Sequence, residues 1–259
     1  MPELHLTLDV AGFPEEIVID DAEVDRLHAP ILAKLARPAA GRRVVAFVAG
    51  VPGSGKTTLA ALWTELARRA HAVPCVALPM DGFHLPNAVL DREQIVRDGV
   101  TMPLRRIKGA PETYAVAAMA QMLERLVRGE DLVWPVYDRT LHEPVTEGVR
   151  VQGASAVCLL EGNYLLLDRA PWGELARVAD ARFFLDAAED EVKPALLARH
   201  LRGGRTHEDA LAHFARTDAP NIALVRGTRR YADVVLAHSG TGTGFVVREA
   251  RGAWREILA

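Results

Sequence analysis

The sequence predicts an α/β fold: a three-layer sandwich in which helices cover both faces of a mostly parallel five-stranded sheet, with a helical lid at one end. Three observations predict it. Short β-branched apolar runs alternate with segments of helical spacing, the order of βα units around a parallel sheet. A glycine-rich loop lies directly between the first such run and the helix after it. Two later runs end in a carboxylate, at Asp81 and Glu161, where a buried strand should stop.

Residues 1–40 read as an N-terminal extension ahead of a domain over 41–259. In the extension "ELHLTLDV" alternates like a strand, "EEIVID" can pair with it, and "DAEVDRLHAPILAKLAR" has helical spacing up to Pro38. "RRVVAFVAG" is the first core strand. The helix after the loop, "KTTLAALWTELARRAH", places Leu59, Leu62, Trp63 and Leu66 on one face. The second core strand, "AVPCVALPM", leads into Asp81. "PETYAVAAMAQMLERLVRGE" is predicted as a helix that starts near Glu112 or Thr113 and stops near Gly129, and "DLVWPVYDR" as an extended piece. "ASAVCLLEG", "VADARFFLDA" and "RYADVVLAH" complete the sheet. "HSGTGTGF" reads as a turn in which Thr241 and Thr243 make local hydrogen bonds, and "FVVREARGAWREIL" as an edge strand or a helix.

At 259 residues, 49% of them apolar, the chain can bury a large core. A formal charge of −3 argues against a protein that coats nucleic acid. Cys75 and Cys158 lie inside apolar runs and are expected to be buried free thiols. The amino terminus lacks a basic start, and no apolar run approaches the roughly 18 residues of a membrane span. A cytoplasmic protein without membrane or nucleic-acid partners is expected, with a homodimer left open.

"GVPGSGKT", Gly50 to Thr57, fits G-x-x-x-x-G-K-[ST] at every position, in the strand-to-helix context the motif requires. Gly50, Gly53 and Gly55 let successive N–H groups turn inward to phosphate oxygens, with Val51, Pro52, Ser54 and Thr58 completing the cradle. Lys56 is placed to reach the β- and γ-phosphates. The Thr57 hydroxyl can bind Mg²⁺, and the helix presents its positive end.

Ligands of open α/β sheets bind outside the carboxyl ends of the strands, so Gly50, Asp81 and Glu161 should face one crevice. There Asp81 can accept a proton from an attacking hydroxyl, and Glu161 can close a metal shell. Each acid alone is equally readable as a cap or turn residue. "ARHLRGGRT" sets Arg199, Arg202 and Arg205 around a Gly203-Gly204 break, with Thr206-x-x-Asp209 opening the next helix. A hinged basic segment over about 190–216 suits a lid, in which Arg202 and Arg205 meet developing charge. Phe83 is expected to wall an acceptor pocket with Leu85. His84, Arg106, Lys108, Tyr137, Arg139 and His142 are the remaining candidates for substrate recognition.

These blocks, "GVPGSGKTT", "MDGFHLPN", "KGAPETY", "PVYDRTLHEP", "LLEGNYLLL" and "RHLRGGRT", make the chain resemble the P-loop kinases typified by uridine kinase, phosphoribulokinase and bacterial pantothenate kinase. Within that group it is most similar to bacterial nucleoside/nucleotide kinase-like proteins, some labelled fructose transport system kinases. "DGF" and "KGAPETY" look like pantothenate kinase, "PVYDR" and "RYADVVL" like uridine kinase. The resemblance implies ATP and Mg²⁺ as cofactors and a small-molecule hydroxyl acceptor: a nucleoside, a sugar or a pantothenate-like alcohol. It makes Asp81 the base or metal organiser and Glu161 the acid near Mg²⁺. The position after "PETY", an acid in the family pattern, is Ala115 here, and residues 1–40 have no counterpart. The rival reading is an ATP-binding accessory protein without efficient turnover; the absence of an N-K-x-D motif argues against a GTPase.

Overall fold

A computed structural model describes residues 2–70, 73–97, 99–240 and 243–259. The chain opens with a hairpin, β1 (Glu3–Val10) and β2 (Phe13–Asp20), paired antiparallel from Glu3↔Asp20 to Val10↔Phe13. A helical stretch follows, from α1 (Asp21–Glu23) through a π-helical turn at Val24–His28 into α2 (Ala29–Ala39). Next come β3 (Arg43–Gly50), α3 (Lys56–Arg69) and β4 (Cys75–Pro79). An excursion follows β4: α4 (Asn87–Arg92), the small hairpin β5 (Gln94–Arg97) and β6 (Val100–Pro103), α5 (Val116–Val127), and the hairpin β7 (Leu132–Asp138) and β8 (Glu143–Val151). The chain returns through β9 (Ala156–Gly162) and β10 (Ala181–Asp186). Then come α6 (Glu189–Arg202), α7 (His207–His213), a second π-helical turn at Phe214–Asp218, and α8 (Ala219–Arg226); α6, α7 and that turn span the stretch expected as a lid over about 190–216. β11 (Val234–His238), β12 (Phe245–Ala250) and α9 (Ala253–Ile257) complete the described elements.

The central sheet has the order β12-β11-β10-β3-β9-β4. Five strands are parallel, and the sixth, β12, runs antiparallel at the edge. The predicted sheet is therefore one strand short: "FVVREARGAWREIL" forms both the edge strand and a helix. Period-2 alternation divides the core between the two faces. On β3, Val45, Phe47 and Ala49 pack with α5, β7 and the lid helices, while Val44, Ala46 and Val48 pack with the N-terminal hairpin, α2 and α3. Residues 1–40 thus share a core with the sheet: Leu6, Leu8, Ile17, Ile19 and Ile31 join Leu59, Leu62 and Trp63, each worth about 1.5–3 kcal/mol when fully buried. His28 ties this layer together, accepting from Trp63 Nε1 at 2.8 Å and donating to Glu23 Oε1 at 3.1 Å.

Three expectations change. The helix in "PETYAVAAMAQMLERLVRGE" begins at Val116: Pro111–Thr113 is a separate 3-10 turn, and Tyr114 is extended and bridged to His84. Thr243 does not bond locally. Its hydroxyl pairs with the Val18 backbone, 3.2 Å from N and 2.6 Å from O, and so fastens the N-terminal hairpin; Thr241 lies outside the described residues. Cys158 is buried as expected but Cys75 only partly, and burial pushes both thiols up to about 12.

Gly82 fixes the exit from β4 by close approach rather than by an unusual dihedral. A Cβ there would lie 2.0 Å from the Pro135 carbonyl oxygen of β7. Gly82→Ala must push two backbones apart and is expected to lower unfolding stability by about 1–3 kcal/mol, read as a reduced urea midpoint; an unchanged midpoint would show that this contact does not constrain the fold.

Candidate active site

Strand register builds the site. Glu161 on β9 pairs with Val48 of β3 on one side and Pro79 of β4 on the other. Gly50 lies two residues beyond Val48, and Asp81 two beyond Pro79. The three therefore meet at one end of the sheet, as the sequence predicts.

The glycine loop follows β3. Gly53 and Gly55 have φ of 80° and 87°, a left-handed region that side chains rarely adopt. The Gly53 face of the loop rests on Val192 and Leu196 of α6, and His238 Nε2 at the end of β11 donates to the Ser54 carbonyl at 2.9 Å. Among the described residues Ser54 Oγ is buried without a hydrogen-bond partner, a hydroxyl suited to a phosphate oxygen. Lys56, 7% exposed, donates from Nζ to the Val51 carbonyl at 2.9 Å. Burial pushes its ammonium down to about 8, with Arg199 adding to the effect, while Glu161 and Asp81 hold it charged. Burial and Asp81 push the Glu161 carboxyl up to about 7, against Lys56 and a hydrogen bond from Thr57. Thr57 Oγ1 donates to Glu161 Oε1 at 3.1 Å, so a hydroxyl and a carboxylate, both hard oxygen donors, stand together beside the loop. That donor set fits Mg²⁺.

Asp81 begins the other side. Its side chain keeps 40% exposure, so a ligand can reach it. Burial would raise its carboxyl, but His84, Arg139, Arg199 and Lys56 together hold it below the usual carboxylate range. Tyr114 Oη donates to Asp81 Oδ1 at 3.3 Å, and the His84 ring lies 4.1 Å from that of Tyr114 and 4.9 Å from that of Tyr137. His84 Nδ1 donates to the Asp81 carbonyl at 2.8 Å, which fixes the turn. Lys108 joins three of the sequence blocks: its Nζ reaches Asn87 Oδ1 at 2.6 Å and the His142 carbonyl at 2.8 Å, and it sits 5.0 Å above the Tyr137 ring. The loop before Tyr114 is held from beneath, where Tyr164 Oη and Asn221 Nδ2 both donate to the Gly109 carbonyl.

Several sequence candidates sit elsewhere. Phe83 is 5% exposed and packs edge-on to Trp134 at 5.0 Å, so it belongs to the core and does not wall a pocket. Leu85 packs against the small cluster of Leu90, Leu104 and Ile107. His142 contributes its carbonyl while its side chain is exposed, and Arg106 is exposed on a 3-10 turn. Of the lid arginines, Arg199 is the one whose charge acts on Lys56, Asp81 and Tyr114. Arg202 and Arg205 are exposed, and the charge of Arg205 acts on His213. Tyr114 and His238 are additions that the motif blocks contain or flank without marking.

A phosphate loop between a parallel strand and its helix, faced by acids from the two neighbouring strand ends, defines a P-loop kinase. Comparison with known proteins agrees, although no family model matches the chain. It is 36% identical over 243 residues to the uncharacterized protein YggC of Escherichia coli, covering 92% of this chain and 98% of that one. It is 30% identical over 201 residues to a Schizosaccharomyces pombe protein provisionally named uridine kinase C227.14, covering 75% and 83%. A Silicibacter sp. TM1040 structure, provisionally designated a fructose transport system kinase, superposes with a TM-score of 0.68 at 28% identity, over 78% of this chain and 92% of that one. The chain belongs to the P-loop kinase family of uridine kinase and pantothenate kinase, and so to the phosphotransferases of small metabolites. Among the described residues no helix is long and apolar enough to cross a membrane.

Charge coupling within the site is directly measurable. Glu161→Gln removes the carboxylate that most strongly favours the Lys56 ammonium, so the Lys56 pKa should fall below its wild-type value of about 8. Carbon-13 NMR of the labelled lysine side chain reads this; an unchanged or raised pKa would mean that Glu161 does not face Lys56 in solution.

Proposed function

We propose that the chain transfers the γ-phosphoryl group of ATP to a hydroxyl of a small metabolite. The observation that carries this reading is Asp81: an accessible carboxylate, kept ionised by four cationic or ionisable neighbours, opposite Lys56 and the Thr57–Glu161 pair. The loop amides, Ser54 and Thr58 would hold the phosphates, and Lys56 the β- and γ-oxygens. Thr57 and Glu161 would hold Mg²⁺, which when bound neutralises phosphate charge. The acceptor oxygen bonds to the γ-phosphorus as the bond to the β–γ bridging oxygen breaks, and its proton passes to Asp81. ADP leaves with the bridging oxygen. A carboxylate held below its usual range is a weak base, which suits a transfer in which positioning and charge stabilisation do most of the work.

The acceptor would lie against Asp81, Tyr114, Tyr137, His84 and Arg139. A rim of aromatic rings around one carboxylate suits an uncharged, hydroxyl-rich molecule such as a nucleoside or sugar at least as well as a pantothenate-like alcohol. An accessory protein that only binds ATP needs no accessible ionised Asp81, so the enzyme reading is preferred.

A coupled ADP-release screen over nucleosides, simple sugars and pantothenate tests the reading. On the acceptor so found, Asp81→Asn should lower kcat by about 10² to 10⁴ while ATP affinity is nearly unchanged. If Asp81 were only a turn acid, the folded fraction would keep normal specific activity. Arg199→Ala should lower kcat more than Arg202→Ala or Arg205→Ala, because its charge already acts on Lys56 and Asp81. Equal effects from all three would remove the distinction drawn among the lid arginines.

A further inference from the structure

The lid contains a second cluster of chemically capable side chains, apart from the phosphate loop. His200 on α6, His213 at the end of α7 and Asp218 at the end of the second π-helical turn each offer a ligand atom, and all three atoms lie within 4.8 Å of one another. His200 Nε2 donates to Asp218 Oδ2 at 2.6 Å, and the two imidazoles meet edge to face at 4.7 Å between centroids. His213 is 7% exposed, yet neither of its ring nitrogens has a hydrogen-bond partner among the described residues. The hydroxyl of Thr217, beside Asp218, is likewise buried and unpaired. Thr217 Oγ1 is thus an unsatisfied buried group beside two imidazoles and a carboxylate, where such groups ordinarily have a partner.

The backbone is shaped to build this cluster. His213 and Asp218 are five residues apart, and in an α-helix they would point about 140° away from each other. The π-helical register at Phe214–Asp218 brings them onto one side.

We infer that His200, His213 and Asp218 form a binding site for a transition-metal dication of the zinc class, which staples the two sides of the lid hinge. Two imidazole nitrogens, borderline donors, beside one carboxylate oxygen favour Zn²⁺ over Mg²⁺ or Ca²⁺, and three protein ligands leave a fourth position for water. Zn–N bonds of about 2.0–2.1 Å set tetrahedral donors roughly 3.3 Å apart. The His200–Asp218 pair must therefore open slightly and His213 close in. Arg205 and Arg216 act electrostatically on His213, opposed by Asp218, so a bound dication must be held by direct bonds to the three ligands that outweigh their repulsion. His200 lies before the Gly203-Gly204 break and the other two ligands after it, so a bound ion fixes the angle between α6 and α7. It also fixes Arg199, the residue next to His200, whose charge reaches the candidate active site.

The test uses the full chain, stripped with chelator and held in excess Mg²⁺ so that the phosphate loop does not compete. Titration with Zn²⁺ against a chromogenic chelator should show one tight site per chain and raise the melting temperature. Co²⁺ should give the visible bands of a low-coordinate nitrogen and oxygen site. His213→Gln and Asp218→Asn should weaken Zn²⁺ binding by more than the roughly 10–100-fold that loss of an outer-sphere partner costs, and abolish the cobalt bands. Absence of stoichiometric binding by the wild-type chain, or variants that bind as it does, would overturn the site. Neither readout involves phosphotransfer, so the result stands whether or not the kinase reading does.

Discussion

A buried ammonium held between two carboxylates at the ends of three adjacent parallel strands is the constraint on which the site depends. Lys56 and Glu161 are each at least nine-tenths buried, and a lone ion so placed would be strongly destabilising. Lys56 stays charged because Glu161 and Asp81 face it, and Asp81 stays ionised because Lys56, His84, Arg139 and Arg199 face it. No member can move alone. The Glu161 register with both Val48 and Pro79 makes the arrangement a property of the sheet rather than of flexible loops.

Much of what surrounds the charges serves to hold backbone in place. Gly82 lets the turn at Asp81 lie flat against β7, His84 closes that turn, and Lys108 bridges to the loop at His142. Arg43, with no exposed side-chain surface, donates to the carbonyls of Leu126, Glu130 and Gly153, satisfying acceptors at the end of α5. These polar residues act through geometry. The side chains that would be left to meet a ligand at Asp81 are then few: Tyr114, Tyr137 and Arg139.

The strands that carry the site are legible in the sequence because strands buried on both faces are continuous apolar runs, bounded here by glycine, proline or acid. The phosphate loop is legible because its backbone conformation restricts the residues it can contain. What escapes is decided by facing. Phe83 reads the same whether its ring turns to a cleft or to Trp134, and only the packing of β7 settles it. Arg199 and Arg202 share a helix face by spacing, yet only the seating of α6 on Gly53 shows which is coupled to the site. β8 and the β5–β6 hairpin carry half-exposed, mixed sequences and gain their structure from hairpin pairing outside the central sheet, so their residues give no comparable signal.

The two π-helical turns follow from one physical cause that a 3.6-residue reading cannot register. Val24–His28 precedes Ala29-Pro30, and Phe214–Asp218 precedes Ala219-Pro220. Proline has no N–H to donate, and its ring crowds the carbonyl four residues back, at Arg26 and Arg216. Widening the preceding turn relieves that crowding, and it aligns residues five apart. In the first turn the aligned pair is Glu23 and His28, joined at 3.1 Å, which locks the N-terminal layer to Trp63 and, through Glu23, to the Phe245 amide. In the second it is His213 and Asp218. The same backbone device thus brings an acid and a histidine together twice; in the first case the histidine is fully partnered by protein, and in the second its ring makes no hydrogen bond to the described residues and stands within ligand distance of His200 and Asp218.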